Sequence, residues 1–288
     1  MTSCKLKTYS KINLSLRVFK PRKDGYHPLC SVFQAISLYD EITIEHEPDS
    51  ELKFILTTTD SSIPIDEKNV ITKVFLKLKS QLYGTLRVHL IKNLPHGAGL
   101  GGGSSNAAGF IAALNQIFNL NFSENQARKI AVSIGADVAF FLGGSPALIR
   151  GIGDRITPLK QSRFTEFVLI NPWIFSSTKT VYGAFDQTPS AQMSPIKTPK
   201  ALLIDHIGTN DLKPVVFDLF PKMNEIEAQI NQVTGSDVYM SGSGSTLFLA
   251  FEESQAADIA HKQLKAHFAE FWIKRATARE TGYDSLFY

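Results

Sequence analysis

The 288-residue sequence predicts a mixed protein of strands and helices, α/β (α+β) in class, built in two units. Three observations carry this. Residues 8–19 alternate Ile12, Leu14, Leu16 and Val18 with Lys11, Asn13, Ser15 and Arg17, the period-two pattern of a half-buried strand. Ala107, Phe110, Ile111, Leu114, Ile117 and Phe118 recur at three- and four-residue spacings, one buried stripe of a helix. The regular patterning breaks between Pro158 and Arg163, which divides the chain into 1–158 and 159–288.

Taken in order, the first strand places Lys11 and Asn13 on one polar face, which by itself reads as solvated. Asp24-Gly25-Tyr26-His27-Pro28 is a turn signal. Val32–Leu38 and Glu41–His46 read as two strands separated at Tyr39-Asp40, and Leu52–Thr58 as another. Asn69 opens a helical pattern through Val70, Val74, Phe75 and Leu78, and Thr85–Ile91 alternates as a strand. Ser123 and Gln126 spell a capping pair for a helix that stops at Gly135. Asp137 then stands before the apolar run Val138–Leu142, either as a helix cap or as a buried catalytic carboxylate. Ala147–Thr157 reads as a hairpin turning at Gly151-Ile152-Gly153-Asp154.

In the second unit Phe167–Asn171 is a strand. Residues 186–200 hold Pro189, Pro195 and Pro199 and predict a long irregular loop. A helix is expected from Pro214 through Val233. Asp237–Met240 and Thr246–Phe251 are strands bracketing Ser241-Gly242-Ser243-Gly244-Ser245, which a tight turn would explain. Gln255–Ala269 is helical and Phe271–Ala278 returns as a strand.

The most informative stretch is 94–108, where Gly97, Gly99, Gly101, Gly102 and Gly103 precede Ser104, Ser105 and the apolar helix. Backbone without Cβ lets N–H groups converge on an anion, and a helix N-terminus adds unpaired donors and partial positive charge. Together these make a phosphate cradle. No carboxylate falls between Lys92 and Glu124 to repel the phosphates. Gly103 stands where a P-loop needs lysine. A dinucleotide fingerprint needs an acid at a strand end, but Glu124 lies at a helix start. A phosphate loop of a third type is therefore expected.

Composition narrows the partners. The formal net charge of +3 is too small for a nucleic-acid binder. Cys4 and Cys30 are the only cysteines, so a reducing compartment is expected, and His27-x-x-Cys30 lacks partners for zinc. With no run of eighteen apolar residues and no signal-type apolar start, a cytoplasmic protein without membrane partners is expected.

Ser10-Lys11-Ile12-Asn13-Leu14, Asp24–Leu29, the 94–108 loop and Gly135-Ala136-Asp137-Val138 together resemble the GHMP kinases. The Lys-x-Asn-Leu start and the Asp-Gly-Tyr-His turn are similar to those of the branch acting on a cytidylated methylerythritol in non-mevalonate isoprenoid synthesis. The resemblance implies an ATP-binding N-terminal domain of ribosomal-protein-S5 type (1–158), a ferredoxin-like C-terminal domain (159–288), and an active site between them. It implies transfer of the ATP γ-phosphoryl group to the 2-hydroxyl of that substrate. Residue by residue, Lys11 and Asp137 match the catalytic pair. Pro95, His96, Gly97, Ala98, Gly99, Leu100, Gly101, Gly102, Gly103, Ser104 and Ser105 match the ATP-phosphate loop, and Asn69 and Lys92 match positions near adenine. Tyr26 and His27 match cytosine contacts, Asn13 lies beside the substrate, and Thr178 and Tyr182 match further substrate-side positions. Ser104 or Ser105 would offer a hydroxyl to Mg²⁺. Three departures from the family pattern stand out: Ala139 sits where a proline is usual, His96-Gly97-Ala98 replaces the more usual Met-Gly-Gly or Met-Gly-Ala, and Asn171 stands where His or another residue is common. A sister kinase acting on mevalonate-type or homoserine-type alcohols, and a nucleotide-binding regulator without turnover, remain alternatives. The sequence leaves monomer and weak homodimer open.

Overall fold

Two long antiparallel strands form the axis of the molecule: β1 (Thr2–Val18) and β2 (Leu29–Glu47), joined across the turn at Tyr26. The structure is a computed structural model that describes residues 2–48, 51–189 and 207–288. The break expected at Tyr39-Asp40 is absent, and β2 runs through it. The register steps from Tyr9↔Tyr39 to Ser10↔Ile36, so an irregularity of the ladder stands where the sequence suggested a turn. A second shift, between Asn13 and Ser15, lies beside the residues that matter most for the site.

The free edge of β2 is shared by three successive partners. β5 (Ala147–Gly151) pairs with Leu29–Phe33, β10 (Trp272–Arg279) with Ala35 and Ile36, and β4 (Thr85–Ile91) with Glu41–Glu47. β3 (Lys53–Thr58) adds parallel to β4, and β6 (Arg155–Pro158) closes the expected hairpin with β5. Through β10 the sheet continues into β7 (Glu166–Asn171), β9 (Leu247–Phe251) and β8 (Tyr239–Met240). A strand that the sequence pattern did not mark, β11 (Tyr283–Phe287), pairs antiparallel with the outer edge of β1. The chain's last strand thus returns to its first.

Four helices cover one part of this sheet: α1 (Val70–Leu78), α2 (Gly102–Ile117), α3 (Glu124–Ile134) and α4 (Val138–Phe141). Ser123 and Gln126 form the expected capping box of α3. Phe110 and Leu114 of α2 meet Phe140 and Phe141 of α4 against Phe33 and Ile42 of β2. Ala139 is buried in the same core. A second core gathers α5 (Thr178–Phe185), α6 (Lys213–Leu219), α7 (Lys222–Thr234) and α8 (Ser254–His267) on Val168, Ile170 and Leu249. A third cluster, which includes Ile12, Leu14, Phe167, Leu169 and Phe248, joins β1 to the strands of the second half. The result is a two-domain α/β arrangement on one continuous sheet.

Two helical expectations need correction. The single helix expected from Pro214 to Val233 is two helices, because Pro221 has no N–H to continue α6 and instead starts α7. The irregular loop expected from residue 186 follows α5, a helix the pattern did not reveal, and its 190–200 part lies outside the described residues.

Candidate active site

The site grows from β1. Lys11 and Asn13 sit on the polar face expected from the alternation, but that face is not solvated, and Lys11 is only 4% exposed. The glycine loop lies over it. The Lys11 N–H donates to the Leu100 carbonyl at 2.9 Å, which fastens the loop to the strand. Gly101 has φ +68°, and a Cβ there would lie 3.1 Å from Lys11 Cγ and 3.2 Å from Cε. Glycine is needed at this position both for the backbone conformation and for passage of the lysine side chain.

Lys11 Nζ donates to Asn13 Oδ1 at 2.6 Å, lies 4.6 Å from the centre of the Phe33 ring, and stands 3.7 Å from Asp137 Oδ2. The last contact is an ion pair rather than a hydrogen bond. Burial lowers the Lys11 pKa, and the Asp137 charge opposes that shift. Asp137 is the N-cap residue of α4, yet its side chain makes no capping hydrogen bond, and it is 32% exposed. The cap reading therefore fails, and the carboxylate is free to face the cleft.

Asn13 links three segments. Its N–H donates to Ser241 Oγ at 3.2 Å and its Nδ2 to Ser31 Oγ at 2.9 Å. Ser241 Oγ in turn donates to the Gly99 carbonyl at 2.9 Å. Gly99 has φ +76°, and a Cβ would overlap the Ser241 carbonyl. The serine-glycine turn of the second half is thus not only a tight connection but a wall against the glycine loop.

The loop's other root is Asp40, wholly buried within β2. Its Oδ1 accepts from the N–H groups of Asn93 at 2.9 Å and Leu94 at 3.1 Å, and its Oδ2 from Asn106 Nδ2 at 3.1 Å and from Lys92 Nζ. Sequence reasoning missed Asp40, because a lone acid beside a tyrosine reads as a turn. Gly102 leaves room for this pair, since a Cβ would come within 3.4 Å of Lys92 Nζ and 3.3 Å of Asp40 Oδ2.

On the opposite wall the His27 side chain is only 6% exposed. Its Nδ1 lies 2.9 Å from the Phe19 carbonyl and its Nε2 3.2 Å from Asp186 Oδ1, with the Tyr182 ring 5.2 Å away. Tyr26 is 60% exposed at the mouth. Thr178 Oγ1 lies 2.9 Å from Ser243 Oγ. Burial and the Asp137 charge push the Tyr182 pKa up.

These residues line one open cleft of about 910 Å³, large enough for a nucleotide and a second small molecule. Lys11, Asn13, Tyr26, His27, Lys92, Pro95 through Ser104, Asp137, Thr178 and Tyr182 all border it. Two expected residues do not. Asn69 caps α1, accepting from the Ile71 N–H at 2.8 Å and donating to the Pro64 carbonyl at 2.7 Å, so both ends of its amide are engaged. Ser105 is buried and its hydroxyl donates to the Gly282 carbonyl at 3.3 Å. Lys179, Gly183, Asp186, Gly242 and Ser243 border the cleft without having been singled out as binding residues. The spacing of Lys179, Tyr182, Gly183 and Asp186 (i, i+3, i+4, i+7) was the available signal.

A glycine-lined anion cradle, a helix N-terminus and a lysine–carboxylate pair define the site of a small-molecule kinase. Comparison with known proteins agrees. The GHMP kinases N terminal domain family matches residues 69–145, and the GHMP kinases C terminal family matches residues 200–270. The 4-diphosphocytidyl-2-C-methyl-D-erythritol kinase of Desulfotalea psychrophila is 39% identical over 88% of this chain and 87% of its own length. That of Caldicellulosiruptor bescii is 35% identical over 97% of this chain and 100% of its own. A crystal structure of 4-(cytidine 5'-diphospho)-2C-methyl-D-erythritol kinase superposes with a TM-score of 0.77 at 30% identity, covering 95% of this chain and 99% of that one. The chain belongs to the 4-diphosphocytidyl-2-C-methyl-D-erythritol kinase family, within the GHMP kinases. It is an ATP-dependent phosphotransferase.

Asp40 generates a stability prediction. Asp40→Ala leaves the Lys92 ammonium without its anion and frees the backbone of residues 93 and 94. Denaturant unfolding should show a loss of about 3–5 kcal/mol, the scale for breaking a buried pair from one side. An unchanged midpoint would mean that water already serves this corner.

Proposed function

We propose that the chain transfers the γ-phosphoryl group of ATP to the 2-hydroxyl of 4-diphosphocytidyl-2-C-methyl-D-erythritol, giving the 2-phosphate and ADP in non-mevalonate isoprenoid precursor synthesis. The observation that carries the chemistry is the 3.7 Å approach of Lys11 to Asp137 beside the glycine loop. The relatives' names supply the substrate. Residues 1–158 are read as the ATP-binding unit and 159–288 as its partner, supported by family matches on either side of that division.

Phosphoryl transfer depends on positioning and charge stabilisation. The N–H groups of residues 97–103 and the start of α2 would hold the ATP phosphates. Asp137 accepts the proton of the attacking hydroxyl. Lys11 pairs with Asp137 and stabilises charge gathering on the transferred group. Asn13 holds the Lys11 ammonium in place. This also accounts for the lysine missing from the loop, since the cation comes up from β1 beneath it.

Ser104 borders the cleft while Ser105 turns inward, so Ser104 is the hydroxyl that fits Mg²⁺ arriving with the ATP phosphates. Bound there, the ion would neutralise phosphate charge. Lys92 reaches the cleft on the nucleotide side, and Asn69 acts through the capped start of α1 rather than by direct contact.

On the other wall Tyr26 stacks on the cytosine and Tyr182 borders the same space. The His27 ring, its Nδ1 held at the Phe19 carbonyl, borders the space of the pyrimidine. Thr178 lies at the turn of the second half that meets the loop.

The direct test is ADP release with purified protein and ATP on adding the cytidylated methylerythritol, with mevalonate and homoserine as comparators. Release with either comparator, and none with the cytidylated substrate, would assign the chain to a sister activity. Asp137→Asn should lower kcat by about 10²–10⁴-fold, the scale of a lost general base. Near-normal turnover would remove Asp137 from the mechanism. Tyr26→Ala should raise the KM for the cytidylated substrate far more than that for ATP, and equal increases would show that Tyr26 does not stack on the base.

A further inference from the structure

Helix α5 presents a stripe to the cleft whose chemistry changes along its length: Lys179 near its start, Tyr182 and Gly183 in its middle, and Asp186 at its end. Its two ends are fixed to different parts of the site. At the end, Asp186 Oδ1 stands 3.2 Å from His27 Nε2, the base-reading side in the proposed function. At the start, Thr178 Oγ1 meets Ser243 Oγ at 2.9 Å, and the Ser176 hydroxyl donates to the Ser243 carbonyl at 2.8 Å. That serine-glycine turn is the one whose Ser241 hydroxyl holds the Gly99 carbonyl of the phosphate loop. The helix therefore runs between the base pocket and the phosphoryl-transfer centre. Seven residues at 1.5 Å each separate Lys179 from Asp186, about 10 Å, comparable to the reach of a nucleoside diphosphate from base to phosphates.

Among the described residues, three lysines border the cleft. Lys11 is paired with Asp137, and Lys92 with Asp40. Lys179 has no anionic partner among the described residues. It is exposed, and it sits in the first turn of α5, where the helix dipole adds positive potential. An ammonium in the first turn faces the positive end of the helix dipole, and an anion beside it relieves that repulsion.

We propose that Lys179 binds the diphosphate of the cytidylated substrate and so sets the preference for a nucleoside diphosphate ester over an uncharged nucleoside. The ammonium engages the bridging diphosphate about one helical turn from the Tyr182 ring. Lys11 and Asp137 stay available for the transferred phosphoryl group and the hydroxyl, because the substrate's own phosphates have a separate cation. This inference rests on the proposed function, since only a substrate with a diphosphate gives Lys179 its ligand.

The test compares wild type with Lys179→Met and Lys179→Arg, by calorimetric binding of cytidine 5'-diphosphate and of cytidine and by steady-state kinetics. Lys179→Met should weaken cytidine 5'-diphosphate about 10- to 100-fold, the scale of one lost charge-assisted contact, and leave cytidine within a factor of about two. The KM for the cytidylated substrate should rise in parallel while the ATP KM stays put, and Lys179→Arg should recover most of the loss. Equal affinity of wild type and Lys179→Met for the diphosphate, in a protein that turns over the cytidylated substrate, overturns the Lys179 assignment alone. Equal losses for cytidine and its diphosphate would also overturn it, since they mark a disturbed helix. Wild-type protein that does not turn over that substrate overturns the proposed function and this inference with it.

Discussion

A lysine charge held out of water governs the design of this molecule. Lys11 lies under a roof of backbone, on the face of Phe33, with an amide oxygen and a carboxylate as its polar neighbours. Removing an ammonium from water is costly unless opposite charge and hydrogen bonds compensate it. Asn13 and Asp137 supply that compensation from two distant parts of the chain. The roof can close only because Gly101 has no side chain. Burial lets the Lys11 charge act strongly on its neighbours, and it stands beside a glycine loop that carries no lysine of its own.

The two halves of the chain meet around the same point. Asn13 of β1, Ser241 of the second half and Gly99 of the loop are joined by consecutive hydrogen bonds. A rigid contact of this kind fixes one wall of the cleft relative to the glycine loop, and small misplacement of reacting groups is expensive in rate. The last strand, pairing with β1, ties the chain's end to the strand that carries Lys11.

The buried Asp40 does for the loop's entry what Asn13 does for its middle. One carboxylate receives two backbone N–H groups, an amide and an ammonium. Such a satisfied network orients the backbone entering the glycine loop and holds Lys92 at the cleft.

Much was legible in the sequence because it is local. The alternation of β1, the glycine run, the stripe of α2 and the capping box of α3 are set by pleat, helical period and backbone conformation, which neighbours in sequence decide. The same logic marked Lys11, Asp137 and the loop as chemically able. It could not show that Lys11 is buried, that Asp137 leaves its cap unmade, or that Asn69 and Ser105 turn to structural partners. Nor could it show that Asp40 lies inside a strand or that α5 faces His27. Those facts depend on which distant segments pack together, because desolvation and ion pairing are properties of neighbours in space. The sequence by itself determined which groups could do the chemistry; the tertiary structure alone decided which of them meet, and at what distance.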